Sequence, residues 1–174
     1  MVSLVIYLNL LQFYYMKLYF GFGANSHPDM IRAITGQGAL SFPATITGFA
    51  LCIESFQYIT KVAQNILRNH WDESFVSYGI VKRSKASVSG RLWLLTNAQR
   101  EAIRNWEIIG VWSHECSVQA TISLLGLPIS IPAESEELLG NHVTIVPGDH
   151  YEPFIVPKEK ILAVATDVRR TTFA

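Results

Sequence analysis

The distribution of apolar and polar residues predicts a strand that is followed almost at once by a helix. The strand begins near Lys17 with aromatic and aliphatic residues and runs into two glycines, Gly21 and Gly23. A helix is predicted over Pro28–Thr35, because apolar residues recur there at helical spacing and proline suits a first helical position. Gly36 follows and ends the helix.

A second strand–helix unit is predicted in the middle of the chain. Residues 88–95 include an apolar run long enough for a strand that is buried on both faces. Thr96 and Gln99 have the spacing of a capping box, in which each side chain accepts a hydrogen bond from the other residue's backbone N–H. The helix that starts here carries apolar residues at core spacing and reaches Glu107.

The rest of the chain is predicted to be mostly strand. The further strands predicted by alternation are 44–55, 75–81, 112–125, 142–146 and 161–168. Gly48 marks a bulge or a bend in the first of them. Residues 56–70 fit either a short helix or an irregular excursion. The segments 37–43, 82–87 and 126–140 are predicted as connections, and the acidic run in the last one is expected to be a solvated face.

Composition limits the class of protein. The 174 residues are 49% hydrophobic and 16% charged, which indicates a single globular domain with a sizeable core. The net charge is zero, so electrostatics give no reason to expect a nucleic-acid or membrane partner. The two cysteines, Cys52 and Cys116, are far apart and suggest neither a disulfide framework nor a zinc site, which fits a cytoplasmic protein.

The first sixteen residues carry no charge. They lack the basic start and the small-residue cleavage site of a signal peptide, and Lys17 follows too early for a membrane span. One interpretation is that residues 1–16 form an N-terminal extension to a single domain over 17–174, with Met16 as the natural start and residues 1–15 dispensable and not native. The alternative is an extra strand or helix packed on that domain.

The glycine-rich turn is the first candidate site. A strand, a glycine turn and a helix start together direct unpaired backbone N–H groups at one place, which suits an anion or an oxyanion. Ser26 or His27 is expected to cap the helix, and Ser26 has the better side chain for it. An ordinary strand-to-helix turn is an equally good interpretation from this stretch alone.

Glu107 is the carboxylate with the best local environment for acid–base chemistry. It lies beside Trp106 and Ile108 and near a helix C-terminus, where the helix dipole disfavours negative charge. Both effects raise the pKa of a glutamate above its usual value of about 4.3. A carboxylate at such a position is more often simply solvated, so position alone does not establish a role.

Several motifs, taken in order, resemble those of the gamma-glutamylcyclotransferase-like (AIG2-like) family. The segment 19–25, YFGFGAN, resembles the family opening Y-F-x-Y-G-S-N, and 47–51 resembles its glycine–aromatic second strand. Residues 88–96 are similar to V-x-G-x-L-W-x-L-T. Residues 103–107 are similar to L-D-x-[aromatic]-E, the element that holds the family's catalytic glutamate. The resemblance covers about residues 17–124.

The resemblance implies both a fold and an activity. The implied fold is α+β, with a mixed β-sheet curled into a small barrel and flanking helices. Members convert a γ-glutamyl amide or γ-glutamyl amino acid to 5-oxoproline and a free amine, with no cofactor and no metal. Glu107 would be the catalytic acid–base. The implied substrate-binding residues are Phe20, Gly21, Phe22, Gly23, Ala24 and Asn25.

The sequence also departs from the family pattern. Phe22 and Ala24 replace a tyrosine and a serine of the turn, so two hydroxyls are lost, and Arg104 replaces an aspartate. The Tyr-Arg pair after the glutamate is replaced by residues 112–113. A non-catalytic domain that binds a metabolite or a protein partner is therefore the alternative function.

Other chemistry-bearing residues fit weaker hypotheses. His114 and Cys116 lie two residues apart on a predicted strand, but no third group completes a thiol nucleophile. The spacing of His142, Asp149 and His150 fits no known metal site. The candidates for binding a substrate carboxylate are Arg32, Arg68, Lys82 and Arg83, and the sequence does not choose among them.

Overall fold

The structure, a computed structural model, describes residues 16–71, 75–107, 113–138, 142–147 and 158–172. The strands in this part of the chain are β1 (Met16–Gly21), β2 (Leu40–Ser55), β3 (Val76–Thr96), β4 (Ser113–Leu124), β5 (Leu127–Leu138) and β6 (Val143–Ile145). The α-helices are α1 (Pro28–Thr35), α2 (Lys61–Leu67), α3 (Asn97–Glu107) and α4 (Lys158–Thr172). The N-terminal segment 1–15 lies outside the described residues, so both interpretations of it stay predictions.

Five of the strands close into a ring of backbone hydrogen bonds. β3 pairs antiparallel with β1 and with β2, β2 pairs with β4, and β4 pairs with β5. A parallel contact between Tyr19 of β1 and Glu134 of β5 completes the ring, and β6 pairs with the end of β2. The predicted α+β fold, a mixed sheet curled into a small barrel with flanking helices, is confirmed.

Successive side chains of β1 and β3 belong to two different cores. Phe20 and Leu92 lie inside the barrel, where they pack with apolar residues of β2, β4 and β5. Their neighbours Tyr19 and Trp93 lie in a second cluster, together with buried residues of α1, α3 and α4. Both faces of these strands are covered, so the predicted burial of the apolar run in β3 is confirmed.

Two predicted connections belong to strands instead. β2 begins at Leu40, within the predicted loop 37–43, and β3 continues through residues 82–87. The register of β2 with β3 shifts at Gly48, so the predicted bulge is confirmed. On β3, Lys85 has a φ of 65°. The basic segment is an irregular part of one long strand, because pairing with β2 resumes on both sides of it.

The predicted connection over 126–140 is wrong, because residues 127–138 form β5. Leu125 and Gly126, with φ of 52° and 80°, join β4 to β5. Positive φ at both central residues is typical of a type I′ hairpin turn, which favours Asn, Asp or Gly at the first position. Leucine is untypical at that position, so the sequence pattern did not predict this turn.

The predicted final strand over 161–168 is also wrong, because α4 covers this segment. Ile161 and Val164 are buried and lie three residues apart, which places both on one face of a helix. Ile161 packs against the helix layer beside β1 and β3. Within 56–70, the structure has a 3₁₀ turn, Phe56–Tyr58, and then α2.

Removal of the α3 cap should destabilise the fold measurably. Gln99 N–H donates to Thr96 Oγ1 at 3.2 Å and Thr96 N–H donates to Gln99 Oε1 at 2.9 Å, which confirms the predicted capping box. Thr96→Ala should lower the free energy of unfolding by about 1 kcal/mol in urea denaturation. The exposed neighbour Asn97 supplies the control. If Asn97→Ala costs as much as Thr96→Ala, the box does not stabilise α3.

Candidate active site

The turn after β1 has a conformation that requires glycine at two positions. A Cβ on Gly21 would lie 2.5 Å from the backbone oxygen of Asn25. Gly23 begins a 3₁₀ turn, Gly23–Ser26, with a φ of 53°. Trp93 Nε1 of β3 donates to the same Asn25 oxygen at 2.9 Å, which fixes the turn to the barrel wall. The turn is therefore tightly constrained by the strands around it.

The helix after the turn is capped by His27, so the preference for Ser26 is wrong. Asp29 N–H donates to His27 Nδ1 at 3.2 Å. Ser26 Oγ instead donates to the backbone oxygen of Gly23 at 2.7 Å, inside the turn. The hydroxyl of Ser26 does not face the helix, because the 3₁₀ turn places it beside Gly23, the first residue of that turn.

The backbone donors of the turn differ in availability. Asn25 N–H donates to the backbone oxygen of Phe22 at 3.0 Å. Within the part of the chain that the structure describes, the N–H groups of Gly23 and Ala24 have no hydrogen-bond partner. Phe22 packs partly buried against the barrel core, and Phe20 lies fully inside it. Two backbone donors are thus left at the start of the turn.

The last residue of α3 meets this turn. Asn25 Nδ2 donates to Glu107 Oε1, although the two residues are 82 positions apart in the chain. Burial raises the pKa of the Glu107 carboxyl, while the Asn25 hydrogen bond and the charge of Arg100 lower it by less. The raised pKa expected for Glu107 follows from burial, and the structure brings this carboxyl together with the predicted turn.

Sequence reasoning missed three side chains that lie directly behind this contact. Asn25 Nδ2 also donates to Tyr19 Oη at 3.0 Å, and Tyr19 Oη donates to Glu136 Oε2 at 2.9 Å. The guanidinium of Arg100 lies 3.1 Å from Glu136 Oε1 and 4.6 Å from the centroid of the Tyr19 ring. A continuous polar chain therefore connects Glu107 to Arg100 through the core.

Arg100 is the central cation of this group. It is only 3% exposed and also contacts Glu115 at 2.8 Å and Glu134 at 3.2 Å. Glu136 is 4% exposed, so the expectation of a solvated acidic run is wrong at this residue. Alternation along β5 gave no signal for it, because the buried residues Ala133, Ser135, Glu136 and Leu138 do not follow a period of two.

Burial controls the protonation of these groups. It raises the pKa of Glu136, as does the nearby charge of Glu107, while Arg100 lowers it. Burial and the charge of Glu136 raise the pKa of Tyr19 well above its usual value, so its hydroxyl keeps its proton. Two carboxyls with raised pKa values can hold and release protons near neutral pH, as general acid–base chemistry requires.

Solved structures of known proteins share this architecture. Gamma-glutamyl cyclotransferase matches with a TM-score of 0.57 and 15% sequence identity, over 90% of this chain and 86% of that protein. The chain has the gamma-glutamyl cyclotransferase fold. The fold implied by the sequence motifs is thereby confirmed. Neither a protein-family model nor a curated protein sequence matches the chain.

Two further structures have the gamma-glutamyl cyclotransferase fold in common with this chain. An uncharacterized protein from Homo sapiens matches with a TM-score of 0.57 and 15% identity, over 91% of this chain and 87% of that one. A protein from Arabidopsis thaliana, solved in solution, matches with a TM-score of 0.53 and 16% identity, over 91% and 89%. At such identities the likeness establishes the fold, and function has to be argued from the site.

The weaker candidate sites gain no support. Burial raises the pKa of Cys116 to about 12, which is unsuited to a thiolate nucleophile. Arg32 contacts Asp29 on its own helix at 2.9 Å. Asp149 and His150 lie outside the described residues. Within those residues, no cluster of His, Cys, Asp or Glu is arranged to hold a metal ion, and no helix could span a membrane.

Loss of the buried cation Arg100 should lower the free energy of unfolding far more than loss of an exposed cation. Arg100→Met would leave Glu136 buried without its counter-ion, so the free energy of unfolding should fall by about 3–5 kcal/mol. Arg104 lies on the same helix and contacts the same Glu115, but its side chain is 43% exposed. Arg104→Met should cost less than about 1 kcal/mol. If chemical denaturation shows equal losses of unfolding free energy for the two variants, Arg100 is not the central cation of the group.

Proposed function

We propose that the chain is a cofactor-independent cyclotransferase of the gamma-glutamylcyclotransferase-like family. It would convert a γ-glutamyl amide or γ-glutamyl amino acid to 5-oxoproline and a free amine. The observation that carries the proposal is the contact between Asn25 of the glycine turn and Glu107 at the end of α3. It joins a carboxyl whose pKa is raised to a turn with available backbone donors, on the fold of a gamma-glutamyl cyclotransferase.

Glu107 is the proton-transfer group in this proposal. It removes a proton from the α-ammonium group of the substrate, and the freed amine attacks the γ-carbonyl carbon of the same molecule. A carbon–nitrogen bond forms and closes the five-membered ring. As the amide bond to the leaving amine breaks, Glu107 gives its proton to that amine. The ring nitrogen then loses its extra proton through Glu107, and the released amine leaves as an ammonium ion. The raised pKa suits both halves of this exchange.

The glycine turn holds the substrate and stabilises the developing oxyanion. The backbone N–H groups of Gly23 and Ala24 supply the donors, so the missing serine hydroxyl at position 24 is not needed for this role. The substrate is flexible, and its cyclising conformation is rare in solution. Binding in that conformation lowers the barrier, since correct orientation can contribute several kcal/mol.

A binding domain without catalysis is the second candidate function. Phe22 and Ala24 favour it, because both lack the hydroxyl that the family motif carries at these positions. Glu107 favours the enzyme, because a carboxyl whose pKa is raised by burial destabilises the folded protein at neutral pH. A protein that only binds a ligand has less need of such a group.

Substitution of Glu107 tests the proposed reaction. Glu107→Gln keeps the size of the side chain but cannot take a proton, so kcat should fall by ~10²–10⁴-fold. Glu101→Gln is the matched control, since Glu101 lies on the same helix with a side chain 62% exposed. The measurement is 5-oxoproline release from a panel of γ-glutamyl amines and γ-glutamyl dipeptides. Binding of a panel member without turnover by the unmodified protein would favour the binding domain.

The raised pKa of Glu107 also predicts a pH dependence of stability. Between the usual glutamate pKa of about 4.3 and the raised folded-state value, the folded chain binds more protons than the unfolded chain. The free energy of unfolding should therefore decrease as the pH rises through this window. Glu107→Gln should weaken the decrease and stabilise the protein at pH 8, as measured by urea denaturation at several pH values. An unchanged pH dependence would contradict the raised pKa.

The conformation of the turn provides a separate test of substrate binding. Gly23 has a φ of 53°, which a β-branched residue adopts only with strain, so Gly23→Val should abolish detectable binding of the substrate. Gly38→Val is the control, because a Cβ on Gly38 meets nothing within 4 Å. Calorimetric titration with a substrate of the unmodified protein measures the effect. Normal affinity in the Gly23→Val protein would remove the turn from the site.

A further inference from the structure

The side-chain amide of Asn25 lies between two oxygen atoms that both accept from its nitrogen. Its Nδ2 group contacts Glu107 on one side and Tyr19 Oη, at 3.0 Å, on the other. Its Oδ1 atom is buried and has no hydrogen-bond partner in the part of the chain that is described. Asn25 itself is 4% exposed. A buried amide oxygen without a partner is costly, so the orientation of this amide requires a cause.

The cause lies in the direction of the hydrogen bonds behind Tyr19. Glu136 Oε1 lies 3.1 Å from the Arg100 guanidinium, and Glu136 Oε2 accepts from Tyr19 Oη at 2.9 Å. A tyrosine has a single hydroxyl proton, and here that proton is directed at Glu136. The Tyr19 oxygen is then left as an acceptor. The amide of Asn25 meets this demand only with its nitrogen towards Tyr19.

We propose that Tyr19 and Glu136 are positioning residues that fix the orientation of the Asn25 amide for the reaction at Glu107. In this orientation one N–H of Asn25 is directed at Glu107, and the unpartnered Oδ1 is left to accept from an N–H of a ligand that reaches it. A primary ammonium group, such as the α-ammonium of a γ-glutamyl compound, matches an amide oxygen beside a carboxylate. The catalytic consequence rests on the proposed function; the positioning itself does not.

The reverse orientation explains why the positioning matters. If the amide rotated, Oδ1 would face both the Tyr19 oxygen and the Glu107 carboxylate, and two acceptors would oppose it. Protonation of Glu107 would relieve one of these contacts, because the acid could then donate to Oδ1. Loss of the Tyr19 hydroxyl would relieve the other. Without that hydroxyl, the rotated amide and a protonated Glu107 stabilise each other.

Tyr19→Phe is the cleanest probe because it leaves every charge near Glu107 in place. The groups that face Glu107 are Arg100 on its own helix, Tyr19 on β1, Glu136 on β5 and Asn25 in the turn. Substitution of Glu136 would also remove a negative charge, and this alone lowers the pKa of Glu107. Loss of the amide positioning would raise the pKa of Glu107, while loss of the charge would lower it. Tyr19→Phe avoids this conflict, so Tyr19 is the better choice.

The experiment follows the titration of Glu107 by NMR, with ¹³C-labelled glutamate side chains. Glu107→Gln assigns the resonance by its disappearance. In Tyr19→Phe, we expect the Glu107 midpoint to move to higher pH. Tyr58→Phe should leave it unchanged, because Tyr58 is 47% exposed and its ring stacks on His142. An unmoved midpoint in folded Tyr19→Phe protein would overturn the proposal.

A double-mutant cycle shows whether Tyr19 acts through Asn25. Asn25→Ala should itself raise the Glu107 midpoint, and adding Tyr19→Phe to it should cause no further change. Equal shifts in both backgrounds would show that Tyr19 acts independently of Asn25 and would overturn the proposal. If Asn25→Ala does not fold, the single Tyr19→Phe variant still decides.

The kinetic measurement separates positioning from simple loss of stability. Under the proposed function, Tyr19→Phe should lower kcat by about tenfold or more, raise KM, and move the acid limb of the pH–rate profile to higher pH. A variant that is only less stable would keep the acid limb of the unmodified protein, and this result contradicts positioning. If the unmodified protein shows no turnover, the proposed function fails, whereas the NMR titration still tests the positioning.

Discussion

The buried guanidinium of Arg100 is the constraint on which the site depends. It lies on α3, but its carboxylate partners Glu115, Glu134 and Glu136 belong to β4 and β5, so it ties the helix to these two strands. Removing this cation from water is costly, and the cost is offset only when several partners are in place. Its contact with the Tyr19 ring adds a connection to β1. The helix α3 is thereby held against β1, β4 and β5.

The candidate site is built from elements that each bury one polar group against another. The glycine turn contributes Asn25, α3 contributes Glu107, and β5 contributes Glu136. None of these groups reaches full solvation, so the pKa values of both carboxyls are raised. In water, both carboxyls would have ordinary pKa values and would be ionised at neutral pH. The chemistry proposed for Glu107 is therefore a property of the packing around it.

Local sequence signals predicted a large part of this structure because they describe interactions between near neighbours. The capping box of Thr96, the helix stop at Gly36 and the bulge at Gly48 each depend on a few adjacent residues, and all three are confirmed. The order of motifs indicated the barrel. The predictions failed where the local pattern was ambiguous, as at the Leu125 turn and in α4, whose conformation depends on contacts with other parts of the chain.

The sequence by itself determined the turn and the carboxylate: glycines at 21 and 23, Asn25 and Glu107 were all identifiable as candidates. It could not show that Asn25 and Glu107 touch across 82 residues, because strand pairing and helix docking set that distance. It also could not distinguish Glu136 from its neighbours in an acidic run. Only the closed barrel places that carboxylate beside Arg100 and Tyr19, since burial belongs to the tertiary structure and not to the residue.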